Sequence, residues 1–465
     1  MFKTSNEAKF QKDMTQGAVP GRLIRFALPF LLTMLIQQSY SMADLLIVSY
    51  FSGDASVAGV NIGGQVTFFV IAIAIGLSVG GTILIGQYYG AKKMEDVKKT
   101  ASTILTMMLI SSLIMAAIFI PLGDTILKIL QAPGDSHAEA LTYLIICICG
   151  LPFIFVYNAV AGIMRGLGDA KRPLIIVSIS CVTNVLLNLL FVGYYKMGAA
   201  GAATATIICQ FGTVVISSIY LSRSGFLFDF KLKSFVMYKD KLKLTLKLGI
   251  PSGISQIAVN ASFLLLTMLV NSYGDVSISA ATGLAGRFNG FIIMPILAIS
   301  QSVSMMCAQN LGAGRQDRAL RTMLTGVGLS LIIGVPFFFL VMFFPEQIMG
   351  IMSNSDNVIA AGGIYLRAIA WDYFLVPFIF SFFGIATGAG HTHITMINTF
   401  ITSVALRIPA ALILSRTFDL GLYGVGLSVP VASMGALIFL TFYILSGRWK
   451  NAVIHKQSKP SEIVT

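Results

Sequence analysis

Charge is scarce in this chain. Only 11% of its 465 residues are Asp, Glu, Lys or Arg, and the mean hydropathy is +0.84. Soluble domains carry about 25% charged residues, so this balance excludes an ordinary water-soluble enzyme. Cysteine and histidine are also sparse. Cys147, Cys149, Cys181, Cys209 and Cys307 all lie in apolar runs, with neither metal-ligand spacing nor an extracellular disulfide framework, and read as small core residues. None of His137, His391, His393 and His455 falls deep in an apolar run, so no Ser–His pair is expected. Gly76-Leu77-Ser78-Val79-Gly80 matches the G-x-S-x-G nucleophile elbow, but within a helix rather than at a strand-to-helix turn. His391 and His393 read as a solvated turn. The first twenty residues are polar, so no cleavable signal peptide is expected.

Apolar residues are abundant instead, at 56% of the chain. A membrane-crossing helix needs about 20 apolar residues, and about twelve such helices would use most of the supply. Long unbroken runs such as Phe69–Ile85 argue against a β-barrel, whose strands alternate. Spans are expected at 24–50, 57–86, 101–121, 140–164, 173–193, 199–221, 247–270, 279–308, 322–344, 360–386, 394–415 and 423–445. The net charge of +13 does not imply a nucleic-acid partner, because the basic residues sort by side. Of 32 Lys and Arg, 26 fall in the N-terminal arm, alternate loops and the tail, whereas the opposite loops hold only Lys128, Lys196 and Arg416. That asymmetry predicts an even number of spans with both termini cytoplasmic.

The sequence also repeats itself at an offset of about 222 positions. Pro29 falls on Pro251, and Gly86-Gln87-Tyr88-Tyr89-Gly90-Ala91 on Ala308-Gln309-Asn310-Leu311-Gly312-Ala313. Gly162, Gly166 and Gly168 fall on Gly384, Gly388 and Gly390, while Gly198 and Gly201 fall on Gly421 and Gly424 with one residue inserted. Six spans per half give both halves the same orientation, a parallel repeat as in transporters that rock one bundle against another. The fold class expected is an all-α membrane protein of twelve helices in two six-helix bundles. Its divisions are an arm at 1–22, an N-lobe at 23–221, a connector at 222–246, a C-lobe at 247–447 and a tail at 448–465.

Only two carboxylates lie well inside these spans, Asp44 and Asp372. A charged Asp at the bilayer centre costs about 2.5–3.5 kcal/mol on insertion scales, so each needs a partner or a purpose. Asp372 shares its half with Arg287, Arg367 and Arg407, and a structural ion pair accounts for it as well as a functional role does. Asp44 has no basic residue deep within its half. It forms one polar stripe with Gln37 and Ser41, and Asn184, Asn188 and Thr206 can supply further oxygens of the kind hard cations prefer. At the repeat offsets, 222 for the first three and 223 beyond the inserted residue, Asp44, Asn184, Asn188 and Thr206 become Leu266, Leu406, Ala410 and Val429. Packing alone would require them in both halves, so a cation or proton site in the first half is expected.

The stretch Gln37-Gln38-Ser39-Tyr40-Ser41-Met42-Ala43-Asp44, the glutamine-glycine ends of spans 2 and 8, Met164-Arg165-Gly166-Leu167-Gly168-Asp169 and Gly201-Ala202-Ala203-Thr204-Ala205-Thr206 together resemble the multidrug and toxic compound extrusion (MATE) family in its bacterial branch. The resemblance runs from about residue 20 to 447. It implies two lobes and export of cationic amphiphilic drugs against inward H⁺ or Na⁺, with no cofactor and no metal beyond possible Na⁺ at Asp44. A monomer in the bacterial inner membrane is expected. The family's span 1 aspartate falls on Asp44, its span 5 asparagine on Asn184 and its span 6 threonine on Thr206. Its span 5 aspartate falls on Asn188, a departure that removes one of two carboxylates. The glutamate some branches carry in span 7 falls near Asn260, another departure. Gln37, Tyr40, Ser41, Gln256, Asn260, Arg287 and Asp372 are the substrate or cavity candidates. A lipid-linked saccharide flippase of the same superfamily is the alternative kept open by the three arginines, and an intramembrane enzyme is disfavoured.

Overall fold

The computed structural model describes residues 13–130, 134–223 and 234–457. The outer parts of the expected arm and tail, and 224–233 of the expected connector, lie outside the described residues. Everything assigned to a regular element in the described residues is helical. The first helix, α1, runs Val19–Gly90 over 72 residues. At 1.5 Å per residue that is roughly 108 Å, far beyond a hydrocarbon core of about 30 Å, so it must hold two crossings. They meet at Gly53, whose φ of 76° and ψ of 178° lie in a region open essentially to glycine alone. The two spans expected there are therefore one helix broken at a single residue.

The following helices are α2 (Met94–Ile129), α3 (Gly134–Cys149), α4 (Leu151–Gly166), α5 (Lys171–Asn188, continued by a π-helical turn Leu189–Tyr194) and α6 (Gly198–Arg223). Next come α7 (Lys239–Asn271), α8 (Val276–Gly312), α9 (Gln316–Phe343), the short α10 (Pro345–Met352), α11 (Asp356–Ala370) and α12 (Asp372–Gly388). The last are α13 (Thr392–Phe400), α14 (Arg407–Leu412) between π-helical turns Ile401–Leu406 and Ile413–Thr417, and α15 (Gly421–Leu445). Expected spans 4 and 10 are each a broken pair, Ser136–Cys149 with Leu151–Gly166 at 50° and Asp356–Ala370 with Asp372–Gly388 at 46°. Counting each pair once and α1 twice gives twelve crossings among the described residues.

The chain forms two compact units. The first contains Leu28–Gly253, and the second contains Met14–Ala27 together with Ile254 onward. Each is built on the same contacts. In unit 1 Ser78 Oγ donates to the Asn158 carbonyl at 2.7 Å; in unit 2 Ser300 Oγ donates to the Phe380 carbonyl at 2.6 Å, 222 positions on for both partners. The positive φ of Gly168 (85°) recurs at Gly390 (84°). The Gly76–Gly80 stretch acts in packing: Gly76 lies against Gly253 and Gly80 against Gly249 of α7, where a Cβ would meet backbone. Small residues at such spacing let membrane helices approach closely.

Each unit also holds one entry segment by its backbone. In unit 2, Met14 N donates to Gln309 Oε1 at 3.0 Å, Arg315 Nη1 to the Thr15 carbonyl at 2.8 Å and Arg318 Nη2 to the Gln16 carbonyl at 2.9 Å. In unit 1, Val236 N donates to Ser102 Oγ at 3.0 Å and Tyr238 N to Thr103 Oγ1 at 3.1 Å. Buried Lys241 then reaches Asp96 at 2.7 Å and Tyr88 OH at 2.9 Å. The segment that leads into the first helix of each repeat is thus gripped by the hairpin after the second helix of the other repeat.

Two expectations are corrected. His391 is buried rather than solvated, its Nδ1 lying 2.6 Å from Tyr443 OH; only His393 is exposed. Of the cysteines, Cys147, Cys209 and Cys307 are core residues, but Cys149 is exposed, at the end of α3 just before the bend.

Candidate functional site

The first half of α1, α5 and α6 bring four of the expected polar residues together inside unit 1. Asp44, Asn184 and Asn188 are 7%, 1% and 0% exposed, and Thr206 is half-buried. Asn184 and Asn188 stand one helical turn apart on one face of α5, Asn188 reaching Asp44 of α1 and Asn184 reaching Thr206 of α6. The Asn188 amide donates to Asp44 Oδ1 at 2.5 Å and to Asn184 Oδ1 at 2.7 Å. Asn184 Nδ2 in turn donates to Thr206 Oγ1 at 3.4 Å. Tyr40, one turn before Asp44, closes the chain with its hydroxyl 2.9 Å from Thr206 Oγ1. The site is a connected relay of hydroxyl, amide and carboxyl groups in an apolar wall that includes Val48, Val192, Ala199, Ala202 and Ala203.

Two oxygens in this relay remain open. Asn188 Oδ1 is buried without a partner, and Asp44 Oδ2 accepts no hydrogen bond among the described residues. Chemically, the arrangement can hold one positive charge against Asp44. It has a single carboxyl, so a proton or a monovalent cation on Asp44 makes it neutral. No group of three or more His, Cys, Asp or Glu fit to hold a metal occurs among the described residues.

Tyr40's bond to Thr206 was the one connection the polar stripe did not contain. The signal available for it was its spacing, four residues before Asp44. Cys209 is a further neighbour, its thiol beside Asn184. Gln37 and Ser41 are exposed, and Ser41 Oγ turns back to the Gln37 carbonyl at 3.1 Å, so only Asp44 of the expected stripe enters the relay.

The second-half candidates do not converge. Gln256 is exposed and Asn260 half-buried, with Asn260 Nδ2 donating to the Gln256 carbonyl at 2.7 Å. Arg287 is exposed, and Arg367 pairs with Glu346 at 3.3 Å. Asp372 is buried where α11 bends into α12, beside Ser433. Of the three arginines, only Arg407 acts on it electrostatically.

The sequence and fold have clear relatives. The chain is 28% identical over 449 residues to a probable multidrug resistance protein, YoeA, of Bacillus subtilis, covering 95% of this chain and 97% of that one. It is 23% identical over 436 residues to the multidrug export protein MepA of Staphylococcus aureus, covering 92% and 94%. Among solved structures, an outward-facing multidrug resistance MATE transporter matches with a TM-score of 0.87 at 24% identity, over 94% of this chain and 98% of that one. A transporter from Pyrococcus furiosus, described as having a binding pocket of reverse polarity, matches with a TM-score of 0.86 at 24% identity, over 93% and 98%. The family model MatE matches residues 29–190 and again 251–413, one match for each repeat. The chain is therefore a member of the MATE family of multidrug efflux transporters, a membrane protein that moves small molecules and not an enzyme.

Proposed function

We propose that this protein is a secondary antiporter that exports cationic amphiphilic compounds across the bacterial inner membrane in exchange for protons, by alternating access of its two units. Both termini face the cytoplasm on this reading, which the charge asymmetry of the loops supports. The working form is a monomer, since each chain carries both repeats. Asp44 carries the coupled proton, and Asn184, Asn188, Thr206 and Tyr40 orient it.

The observation that carries the proton preference is the direction of the Asn188 amide. Its N–H groups point at Asp44 and Asn184, and Thr206 Oγ1 is engaged by Asn184 and Tyr40. Only Asn188 Oδ1 and Asp44 Oδ2 are left open, which is few for a hard cation that prefers an oxygen cage. A proton needs one carboxyl oxygen and no cage. The alternative of a lipid-linked saccharide flippase is not adopted, because the named relatives are multidrug proteins. The deciding measurement is drug efflux from proteoliposomes with a pH gradient or a Na⁺ gradient imposed alone. Efflux driven by Na⁺ at uniform pH, with no response to a pH gradient, overturns the proton preference.

A further inference from the structure

The two units differ most at the point where the repeat should match them. Along α5 the buried positions are Pro173, Ile176 and Val177, then Asn184, Asn188 and Val192. The corresponding stretch of unit 2 buries Thr395, Asn398 and Thr399, then Arg407, Ala411 and Ser415, with buried Ser403 in the interval between them. The first three pairs are 222 positions apart and the last three 223. One residue has been inserted between Thr399 and Arg407, and the π-helical turn Ile401–Leu406 occupies that interval, where α5 is regular. A π-turn absorbs one extra residue without breaking a helix, and such turns are frequent at functional sites.

This changes the comparison made at an offset of 222 as far as Asn188, which set Leu406 against Asn184 and Ala410 against Asn188. The structure sets Arg407 against Asn184 and Ala411 against Asn188. Leu266, Ala411 and Val429, the counterparts of Asp44, Asn188 and Thr206, lie together in the apolar core of unit 2. Three polar positions have become apolar, and the fourth has become a permanent cation.

Arg407 is 8% exposed and Asp372 4%. The Arg407 guanidinium makes no hydrogen bond among the described residues; its Nε and Nη1 are buried without partners, as are Asp372 Oδ1 and Tyr373 OH. The Arg407 Cζ lies 5.2 Å from the centroid of the Phe263 ring. Asp372 is close enough to act on the guanidinium electrostatically, yet the two form no ion pair within 4.0 Å. The site therefore sets a permanent cation with open donors beside a carboxyl with an open oxygen.

We propose that Arg407 is a binding site for an oxyanion on the transported compound, and that the compounds it selects are zwitterionic amphiphiles bearing a carboxylate. The inference rests on the drug-export reading above and narrows its substrates to cations that also carry a carboxylate. A guanidinium with free N–H groups matches a carboxylate in shape and charge, and burial strengthens the bond. A bare anion would engage Arg407 but leave the open Oδ1 of Asp372 without a partner. A zwitterion serves both, its cationic group turned towards Asp372 Oδ1 and its ring towards Phe263.

The test uses the full-length purified protein and two dyes of one ring system. Rhodamine B is a zwitterion through its free carboxylate; its ethyl ester is a plain cation. Fluorescence anisotropy should show the wild type binding rhodamine B more tightly than the ester. Arg407→Gln should weaken rhodamine B by about tenfold or more and leave the ester within about twofold, and Arg407→Lys should keep part of the preference. Absence of a wild-type preference, or parallel weakening of both dyes in Arg407→Gln, overturns the proposal. The wild-type comparison stands alone should the glutamine variant not fold. Failure of the export reading is distinct: neither dye would move in wild-type proteoliposomes under any gradient, whatever their binding ratio.

Discussion

Asp44 is the one carboxyl in its relay, and its neighbours are neutral. Asp44→Asn keeps the shape and removes the titrating group, so the variant should fold and still bind a cationic dye weakly. Uphill efflux in proteoliposomes should vanish. Gradient-driven efflux at the wild-type rate by well-folded Asp44→Asn would remove Asp44 from the coupling role. Asn188→Asp tests the same geometry from the other side. It replaces an N–H donor to Asp44 with a second carboxylate oxygen and raises the number of cation ligands. Efflux driven by a Na⁺ gradient at uniform pH should appear or strengthen, and an unchanged Na⁺ response would count against the ligand argument. Much at this scale was legible beforehand. The i, i+4 spacing of Asn184 and Asn188 put both on one face, and their amides are hydrogen-bonded to each other. What spacing could not reveal was which way an amide points or that Tyr40 would reach Thr206, since both depend on contacts between helices.

At the scale of the element, breaks carry the information. Gly53 holds a conformation that costs other residues on the order of 1–3 kcal/mol, so Gly53→Ala should destabilise the protein by that amount without touching the relay. Thermal unfolding in detergent would register it as a lowered midpoint with dye affinity intact, and an unshifted midpoint would mean that the turn relaxes. Helix existence was readable from apolar length. The joining of the first two spans was not, because a loop and a single glycine break leave the same pattern of hydropathy. The π-turn at Ile401–Leu406 was hidden for a related reason: an inserted residue inside an apolar helix changes which side chains face inward but not how apolar the stretch is. His391 shows the limit again, since its burial comes from Tyr443, far along the chain on α15.

At the scale of the molecule, the duplication was visible in the glycines and glutamines, and the Ser78 and Ser300 hydrogen bonds reproduce it at identical offsets. The exchange of entry segments was not visible, because nothing in Met14–Gln16 names Arg315 and Arg318 as its receptors. That exchange has a consequence for assembly. A gene cut within 224–233 would yield two products, each bearing the segment that the other's hairpin grips. Expressed alone, each should be degraded or aggregate; expressed together, they should co-purify and restore efflux, and stable accumulation of either half by itself would contradict this. Before the two halves were fused, a protein of a single repeat would have met the same requirement only by lending its leading segment to a second copy and borrowing that copy's in return.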